Sequence, residues 1–402
     1  MSQNDAGPLS HLRVLDLSRV LAGPHAGQIL GDLGADVVKV ERPGTGDDTR
    51  AWGPPYMPDE QGAPTAESAY FMSCNRNKRS IVADFADPQG LRLLRSLAGR
   101  ADILLENFRV GGLAQYGLDY ATVHRLHPRL IYCSITGFGQ SGPYAARPGY
   151  DFMIQAMGGL MSVTGRPDGT PGGGPMKAGV ALVDVMSGLY SVIGILAALT
   201  HRERTGEGQH VDVALLDVSI AALVNQAMNY FATGRSPPRL GNAHPNIVPY
   251  QDFPTADGYI VIAVGNDGQF ARLCEVMGRP ELARDPRFAN NAARVANRQA
   301  LIELLDAASV GQTTDAWVRM LEPAGVPCGP INALDAVFSD PHVRERGTAM
   351  RLAHPTAGMV WQVASPLRLS ATPVTYRRAP PTLGQHHGEV VQDWLGDSGP
   401  GA

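Results

Sequence analysis

Short apolar runs alternate with stretches of helical spacing over the first third of the chain. Strand-like runs occupy residues 13–17, 36–41, 102–106 and 130–135. Between them, Pro24 opens a helical stretch that Gly34 closes, and the Asp87-Pro88 pair opens another. Strands that alternate with helices predict a parallel sheet with helices on its faces. The predicted fold class is therefore α/β, with a Rossmann-like parallel-sheet large domain.

The most apolar segment of the chain, residues 178–199, predicts a helix that begins near Val180. Its length raises the question of a membrane span. However, it contains Asp184, it is rich in Gly, Ser and Ala, and no second such segment exists to pair with it. A helix buried in a protein core is the favoured interpretation.

Changes in composition predict the domain organisation. The large domain is expected over residues 1–215, a linker helix over 216–239, a smaller α+β domain over 240–312, and a return segment over 313–402 that completes the large domain. Helical sequence is predicted from about Val213 to Phe231. Inside the small domain, the run Tyr259 to Val264 predicts a strand and residues 268–277 predict a helix.

The composition excludes several functional classes. The chain has 402 residues, with 34 Lys and Arg against 38 Asp and Glu, which gives a formal net charge of −4. A nucleic-acid-binding protein would need a basic face, so none is expected as a partner. The four cysteines form no CxxC pair, and residues 1–7 lack the apolar stretch of a signal peptide. We expect a cytoplasmic protein without a membrane partner.

Small, polar and basic residues follow the predicted strands, at residues 18–24, 42–44, 107–109 and 136–139. Ligands of parallel sheets bind beyond the carboxyl ends of the strands, so this edge is the expected binding site. No GxGxxG follows the first strand and no GxxxxGK[ST] occurs, which argues against dinucleotide binding and P-loop chemistry. Arg42 is either a phosphate contact or an exposed arginine at the start of a loop.

Asp184 is the candidate catalytic residue. It lies about one turn into the apolar helix, where a lone carboxylate is costly to bury. Small neighbours (Ser187, Gly188 and Ser191) leave room on its face, and the helix N-terminus can keep the carboxylate ionised. Such a carboxylate is a competent nucleophile toward an activated acyl group. The alternative is a structural aspartate that caps the helix or pairs locally, for instance with Lys177.

The chain resembles the family III CoA-transferases, which include formyl-CoA transferase, carnitine CoA-transferase and α-methylacyl-CoA racemase. The resemblance runs from about residue 12 to residue 395. Its motifs, in order, are VLDLSRVLAGP (14–24), GADVVKVE (34–41), NKRS (77–80), ENF (106–108), GFG (137–139), RPGYD (147–151), TGEGQ (205–209), PCGP (327–330) and LGQH (383–386). The resemblance implies a ring-shaped subunit in an interlocked homodimer, with the return segment 313–402 wrapping the dimer partner.

The resemblance also implies the chemistry. CoA would move from an acyl-CoA donor to a free carboxylic acid through aspartyl anhydride and aspartyl-CoA thioester intermediates. CoA and acyl-CoA are then substrates, and neither a permanently bound cofactor nor a metal is expected. The carried-over site residues are Asp184 as the nucleophile, Val20, Ala22, Arg42, Asn107 and Phe108 for CoA, and Tyr150, Arg147 and His244 for the acid substrate or an oxyanion.

Two alternatives remain open. The racemase branch carries a His where this chain has Tyr150, and a phenol is a weaker base for an α-proton at neutral pH than an imidazole. A transferase is therefore favoured over a racemase or epimerase. A non-catalytic acyl-CoA-binding protein would bind CoA without exchanging acyl groups, and Asp184 would then be dispensable.

Overall fold

The computed structural model describes residues 7–396, in which strands and helices alternate over the first half. The strands are β1 (Arg13–Asp16), β2 (Asp36–Glu41), β3 (Tyr56–Pro58), β4 (Pro64–Ser68), β5 (Lys78–Val82), β6 (Ile103–Glu106), β7 (Ile131–Thr136), β8 (Gly165–Arg166), β9 (Gly174–Pro175), β10 (His210–Ala214), β11 (Tyr250–Pro254), β12 (Tyr259–Ala263), β13 (Cys328–Pro330), β14 (Ala349–His354) and β15 (Gly358–Val363). The helices are α1 (Ala22–Asp32), α2 (Ala69–Met72), α3 (Pro88–Ala98), α4 (Tyr120–Leu126), α5 (Asp151–Met157), α6 (Leu160–Val163), α7 (Leu182–Thr205), α8 (Leu215–Ala221), α9 (Val224–Thr233), α10 (Asp267–Val276), α11 (Asn291–Ala296), α12 (Arg298–Ser309), α13 (Thr314–Leu321), α14 (Leu334–Ser339), α15 (Pro341–Glu345) and α16 (His387–Leu395).

A six-stranded sheet in the order β10-β7-β6-β1-β2-β5 organises the first half of the chain. Every neighbouring pair in it is parallel, which confirms the predicted α/β fold class. The chain proceeds from β1 to β2 and β5 on one side, and returns to β6, β7 and β10 on the other. This reversal beside β1 is a topological switch point, where sheets of this kind form a ligand crevice.

The sheet contains two strands that the sequence pattern did not predict. β5 begins with Lys78 and Arg79, and β10 begins with His210, so neither reads as an apolar run. The predicted helix from about Val213 is wrong at its start, because residues 210–214 pair with β7 and the helix α8 begins only at Leu215. Hydrogen bonding to β7 at the edge of the sheet outweighs the helical spacing of these residues.

The two faces of the sheet have separate apolar cores. One face packs against α1 and α7 through Val14, Val37, Ile103 and Ile195, among others. The other face packs against α3 and α16 through residues such as Leu15, Val38, Leu94 and Trp394. Alternation along the strands produces the two sets, because successive side chains point to opposite faces.

The helix α7 is long and apolar enough, by length and composition, to cross a membrane, with a mean hydropathy of 2.0 over its most apolar window. Its inner face, which includes the fully buried Val183, Ile195 and Ala198, belongs to the core against the sheet. Its outer face exposes Leu189 and Ile193. A core helix and a membrane span share this composition, and the burial of the inner face gives α7 a core role.

The chain divides into two compact units. The first contains residues up to Gly158, Ala178–Ala222 and the residues from Pro341 onwards, and the second contains Gly159–Lys177 and Leu223–Asp340. The predicted small domain, 240–312, falls within the second unit. The predicted linker helix range, 216–239, contains most of α8, all of α9 and the boundary between the units.

The second unit has its own core. β11, β12 and β13 form an antiparallel sheet, and buried residues of this sheet and its helices, such as Phe253, Ile260, Phe270 and Trp317, pack together. The predicted strand at 259–264 and helix at 268–277 are both present, as β12 and α10.

The last segment of the chain returns to the first unit. The Asn77 amide donates to the Arg378 carbonyl at 2.9 Å, and the Arg377 guanidinium donates to the carbonyls that end α1. Farther on, α16 packs beside β5 and contributes Trp394 to the core. The return segment thereby closes the edge of the sheet at β5.

Candidate active site

The turn after β1 has a strained backbone. Val20 has a φ of 73°, which is rare for a β-branched residue. Both Asp47 carboxylate oxygens accept from the Val20 amide at 3.3 Å. The Asn107 side chain holds the preceding residue from the other side, because its oxygen accepts from the Arg19 amide at 2.9 Å and its nitrogen donates to the Arg19 carbonyl at 2.7 Å. The turn is therefore clamped on two sides.

Two buried ion pairs, made by lysines of β2 and β5, lie next to this turn. Lys39 pairs with Asp47 at 2.8 Å and also donates to the Ser18 carbonyl at 2.9 Å, while Lys78 pairs with Asp16 at 3.0 Å. Burial alone would raise the pKa of Asp47, but Lys39 and the hydrogen bonds of Thr49 outweigh it and lower that pKa to about 2. The carboxylate that holds Val20 is thus permanently ionised at neutral pH.

A cavity of about 350 Å³ opens at the carboxyl ends of β1, β6 and β7. Its lining residues all belong to the first unit and are Arg19, Val20, Leu21, Ala22, Asn107, Phe108, Arg109, Val110, Ile135, Thr136, Gly137, Ala145, Arg147, Pro148, Gly149, Tyr150, Asp184 and Leu215. The structure thus brings together most of the candidate residues. Arg42 and His244 are the two that do not line it.

Arg42 lies at an adjoining cavity of about 160 Å³, which shares Arg19 and Phe108 with the first. Asp48 pairs with both Arg42 and Arg19, the latter at 2.9 Å. The Arg42 side chain is about half exposed, and its ion-pair partner Asp48 belongs to the same unit. His244 lies in the second unit, where its Nδ1 accepts from the Asn246 amide at 3.1 Å.

Asp184 owes its position to a carboxylate from another helix. No side chain of its own caps the N-terminus of α7, since the N-cap position is Ala181. Instead, Asp151 Oδ1 accepts from the Val183 amide at 2.8 Å and from the Asp184 amide at 3.3 Å. Gln155 donates to Asp151 Oδ2 at 2.7 Å and keeps that carboxylate in place. Asp151 thereby fills the role of an N-cap and fixes the backbone of Asp184.

The Asp184 carboxylate is half-buried, at the first turn of α7. Within the first unit as described, no side chain donates a hydrogen bond to it or forms an ion pair with it. Burial, with the nearby negative charge of Asp151, raises the pKa of Asp184 to about 7. Among the described side chains of the first unit, Asp184 therefore has neither the cap nor the ion pair that a structural aspartate would have.

Tyr70 lies within electrostatic reach of the same carboxylate. Burial raises the pKa of Tyr70 to about 12, and Asp184 is the largest of the charges that add to this increase. The Tyr70 hydroxyl therefore stays protonated at neutral pH and can donate. Its ring packs edge-on against Trp52 at 5.1 Å between centroids. Nothing in the hydropathy pattern singled out this tyrosine.

The small residues after Asp184 serve helix packing. A Cβ at Gly188 would lie 2.8 Å from the Ala22 carbonyl oxygen of α1, so only glycine allows the two helices to approach this closely. Ser187 and Ser191 are fully buried. The partner for which Gly188 leaves room is therefore α1 itself. Because Ala22 also lines the cavity, this close contact brings the turn after β1 next to Asp184.

Arg147 is a cation of the cavity wall with no carboxylate partner in the described residues 7–396. Its guanidinium lies over the Tyr144 ring at 4.5 Å and near the Phe138 ring at 5.4 Å. It lies in the loop that leads into α5, four residues before Asp151, and it lines the same cavity as Asp184. Tyr150, also in the wall, is 66% exposed.

Asp151 is the functional residue that sequence reasoning missed most plainly. It lies in the RPGYD motif, where the prediction assigned a role to Tyr150 and none to the aspartate. Asp47 and Lys39 were missed because a loop carboxylate and a strand lysine, eight residues apart in sequence, gave no sign of pairing.

Within residues 7–396, no group of three His, Cys, Asp or Glu side chains could hold a metal ion.

Comparisons with known proteins give one consistent result. Residues 9–387 match the family described as CoA-transferase family III. The chain is 51% identical over 390 residues to a succinate–glutarate CoA-transferase of Agrobacterium fabrum, covering 97% of this chain and 96% of that protein. It is 42% identical over 392 residues to the human succinyl-CoA:glutarate CoA-transferase, covering 98% and 87%. A crystal structure of a CAIB/BAIF family protein from Brucella suis matches with a TM-score of 0.84 at 50% identity, over 97% of this chain and all of the other.

Proposed function

The chain belongs to CoA-transferase family III and is an enzyme that transfers CoA, and from this premise we propose that Asp184 carries the acyl group and then CoA between two carboxylic acids. The observation that carries the proposal is the geometry of one carboxylate. Asp184 faces the cavity without a cation or a hydrogen-bond donor from a side chain of its unit, and it is fixed by its backbone alone.

The first half of the reaction loads the enzyme. The Asp184 carboxylate attacks the thioester carbonyl of the donor acyl-CoA, the C–S bond breaks, and a mixed anhydride and CoA thiolate result. The thiolate attacks the aspartyl carbonyl of this anhydride, which releases the donor acid as a carboxylate. The enzyme then holds CoA as an aspartyl thioester, and no proton has been gained or lost.

The second half reverses these steps with another acid. The acceptor carboxylate attacks the aspartyl thioester and forms a new anhydride, and CoA thiolate attacks the acceptor carbonyl of that anhydride. Acceptor acyl-CoA leaves and the Asp184 carboxylate is restored. Water must be kept from the anhydride throughout, because hydrolysis would waste the activation energy of the thioester. Backbone amides of the glycines and turns in the wall are the available donors for the oxyanions.

Residues of the β1 turn and of the loop after β6 are proposed to bind CoA. Val20, Ala22, Asn107 and Phe108 line the cavity and would follow the pantetheine arm. Arg42, at the adjoining cavity, would bind a phosphate group after giving up part of its pairing with Asp48. The position of Arg42 outside the main cavity is consistent with a ligand that extends from one cavity into the next.

The acids exchanged are proposed to be small dicarboxylates. The relatives named for succinate and glutarate support this substrate class, and Arg147 supplies a cation for the second carboxylate. Tyr150, beside it, is proposed to donate a hydrogen bond to the acid substrate or to an oxyanion. His244, which the sequence analysis also assigned to the acid substrate, lies in the second unit, and its role stays a prediction.

An interlocked homodimer is the proposed assembly. The outer face of α7 exposes Leu189, Tyr190 and Ile193, and α5 adds Phe152, so the first unit carries an apolar surface that a second copy would cover. Sedimentation at decreasing protein concentration tests this. A dimer that persists to nanomolar concentration is expected, and an active monomer would contradict the proposal.

Trapping the loaded enzyme tests the chemistry. The protein is incubated with succinyl-CoA and then with hydroxylamine, which converts an aspartyl anhydride or thioester to a hydroxamate that mass spectrometry detects. We expect the modification on the peptide that contains Asp184 and none on the peptides that contain Asp151 or Asp212. CoA exchange that proceeds while Asp184 stays unmodified would overturn the mechanism. Deuterium uptake at the α-carbon without exchange of acids would instead support the racemase alternative.

A further inference from the structure

A row of polar side chains crosses the sheet on the face opposite α7. Glu106 at the end of β6 lies beside Ser134 of β7, and Ser134 lies beside Asp212 of β10. Glu106 and Ser134 are buried, with 5% and 1% of their surfaces exposed. The proposed reaction uses none of the three. A buried carboxylate in an otherwise apolar sheet face needs a reason.

Glu106 is tied to the CoA-binding loop. Its Oε2 accepts from the Phe108 amide at 2.8 Å, two residues further along the chain. Phe108 and its neighbours Asn107, Arg109 and Val110 all line the main cavity, and Phe108 separates it from the cavity beside Arg42. The carboxylate thus holds the backbone of the loop from behind, while the loop's side chains face the cavity.

Glu106 is also one end of a chain of hydrogen bonds. The Ser134 hydroxyl acts on Glu106 as a hydrogen-bond donor that lowers the pKa of its carboxyl, and Ser134 Oγ lies 2.9 Å from His210 Nε2. His210 is stacked on Tyr120, with centroids 4.6 Å apart. When Glu106 is ionised, the Ser134 hydroxyl donates to it and His210 donates to Ser134. When Glu106 is protonated, its hydroxyl donates to Ser134 and both bonds reverse, so the chain can accommodate either state.

Other ionisable groups surround this chain of hydrogen bonds. A small cavity of about 50 Å³ borders it, and its titratable lining comprises Arg109 after β6, Asp119 and Tyr120 at the start of α4, Tyr132 on β7 and His210 on β10. Asp212, next in the row, accepts from the Gln140 amide at 2.9 Å. Burial raises the pKa of Glu106 to about 7, and the negative charge of Asp212 adds to the increase. A carboxyl group with a pKa near 7 is ionised above neutral pH and protonated below it.

We propose that Glu106 is a positioning residue for CoA binding: its ionised carboxylate holds residues 107–109 in the binding shape through the Phe108 amide, and the hold weakens when Glu106 takes up a proton. A bond from an amide to a carboxylate is about twice as strong as one to a neutral acid, which is the source of the difference. The inference rests on the proposed CoA site and adds a pH-sensitive control of it.

The test measures binding apart from chemistry. The Asp184→Asn variant of the full chain removes the nucleophile, and dephospho-CoA is titrated into it calorimetrically between about pH 5.5 and 8.5. Dephospho-CoA lacks the 3′-phosphate, whose own protonation near pH 6 would overlap. The dissociation constant is expected to rise about tenfold as the pH falls through the pKa of Glu106. Adding Glu106→Gln should abolish this dependence and keep affinity at the acidic value.

Control variants separate Glu106 from its neighbours. His210→Gln should leave the pH dependence in place, and its loss in this variant would transfer the titration to His210 and overturn the proposal. Ser134→Ala keeps the bond from Phe108 but removes a donor to the carboxylate, so the midpoint should move to higher pH. This variant also serves as the test if Glu106→Gln fails to fold. An unmoved midpoint in Ser134→Ala would count against the proposal.

Two further outcomes are distinguishable. If dephospho-CoA binds and Glu106→Gln retains the full pH dependence, the positioning role is wrong and the CoA site stands. If dephospho-CoA binds at no pH, the proposed CoA site itself fails. In the otherwise unchanged enzyme at about pH 8, Glu106→Gln should raise KM for acyl-CoA about tenfold and leave kcat within about twofold, because the residue acts on binding and not on the reacting atoms.

Discussion

Asp47 and Asp184 serve the same cavity from two sides, and the protein surrounds them in opposite ways. Asp47 holds the Val20 turn and has Lys39, Thr49 and the Val20 amide as partners. Asp184 has none of these and faces the open cavity with Asp151 nearby. The pKa of the first carboxyl is lowered to about 2, and that of the second is raised to about 7.

The difference in partners separates a carboxylate that holds the structure from one that is free to react. A paired carboxylate is bound to fixed donors and has no lone pair to spare, so it holds a strained turn but cannot attack a thioester. An unpaired carboxylate is less stable in its charged form, and its lone pairs are available to a substrate. The first kind holds a loop of the scaffold in place, and the second kind is tolerated because the first turn of α7 is fixed through its backbone.

The largest effect should come from the unpaired carboxylate. Asp184→Asn is expected to reduce CoA transfer at least about 10⁴-fold, because an amide cannot form the anhydride. The melting temperature should stay the same or rise, since the substitution removes a half-buried charge without a partner. Asp217→Asn, an exposed aspartate on α8, is the matched control and should change neither quantity. If Asp184→Asn transferred CoA at a rate within tenfold of the parent enzyme, Asp184 would not be the nucleophile.

The paired side should respond in stability. Lys39→Met leaves Asp47 and Asp16 buried beside one cation fewer, and the free energy of unfolding should fall by about 3–5 kcal/mol. Arg42→Met, which breaks a half-exposed pair with Asp48, should cost about 1 kcal/mol or less. Urea unfolding followed by circular dichroism measures both. If both variants lost the same free energy of unfolding, burial of the Lys39 pairs would add nothing to their contribution to stability.

Arg147 provides a third charge, unpaired like Asp184 and of opposite sign. Arg147→Gln should raise KM for succinate or glutarate about 10- to 100-fold and leave KM for butyrate, which has no second carboxylate, unchanged. Arg147→Lys should recover part of the loss, because it restores the charge without the fork of donors. A similar rise for butyrate would mean that Arg147 holds the wall and does not select dicarboxylates.

The two carboxyl groups should also be separable by pH. Transfer activity should fall about tenfold per pH unit below about pH 7, because Asp184 must be ionised to attack. The stability that Asp47 contributes should persist through this range. A group with a lowered pKa stabilises the fold above its unfolded value of about 4, and this contribution is lost only as the pH falls through about 2. Unfolding that coincides with the loss of activity would contradict this separation.

The smallest expected effect concerns Asp151. Asp151→Asn keeps an oxygen to accept from the Val183 and Asp184 amides but removes the charge that helps to raise the pKa of Asp184. The acidic limb of the activity profile should move to lower pH by roughly half a unit. A shift toward higher pH, or a loss of activity at all pH values, would assign Asp151 a role other than the one drawn from the structure.

Much of this arrangement is readable in the sequence. The strands β1, β2, β6 and β7 follow from apolar runs because both sides of a parallel sheet are buried. The residues after these strands were expected at one edge of the sheet, and the structure places those after β1, β6 and β7 around one cavity, with Arg42 after β2 at the adjoining one. Asp184 stands out because an unexplained carboxylate in an apolar helix contradicts its surroundings. The family motifs identify the class of enzyme.

Other features depend on contacts between residues distant in sequence. Lys39 and Asp47 look like an ordinary strand lysine and loop aspartate until the sheet and the turn bring them within 2.8 Å. The same is true of Asp151, whose carboxylate reaches the start of α7 from a helix about thirty residues earlier. β5 and β10 are strands because neighbours in the sheet offer hydrogen bonds, and their own charged residues gave no indication of it.

The sequence by itself determined the kind of fold and the family, and it singled out Asp184 as the candidate nucleophile, because these depend on local polarity and on motifs. The tertiary structure alone decided which charges are paired and which are left open. That distinction depends on distances of a few ångströms between groups far apart along the chain. It sets the pKa of each carboxyl group, because a nearby cation stabilises the ionised form and burial without one does the opposite.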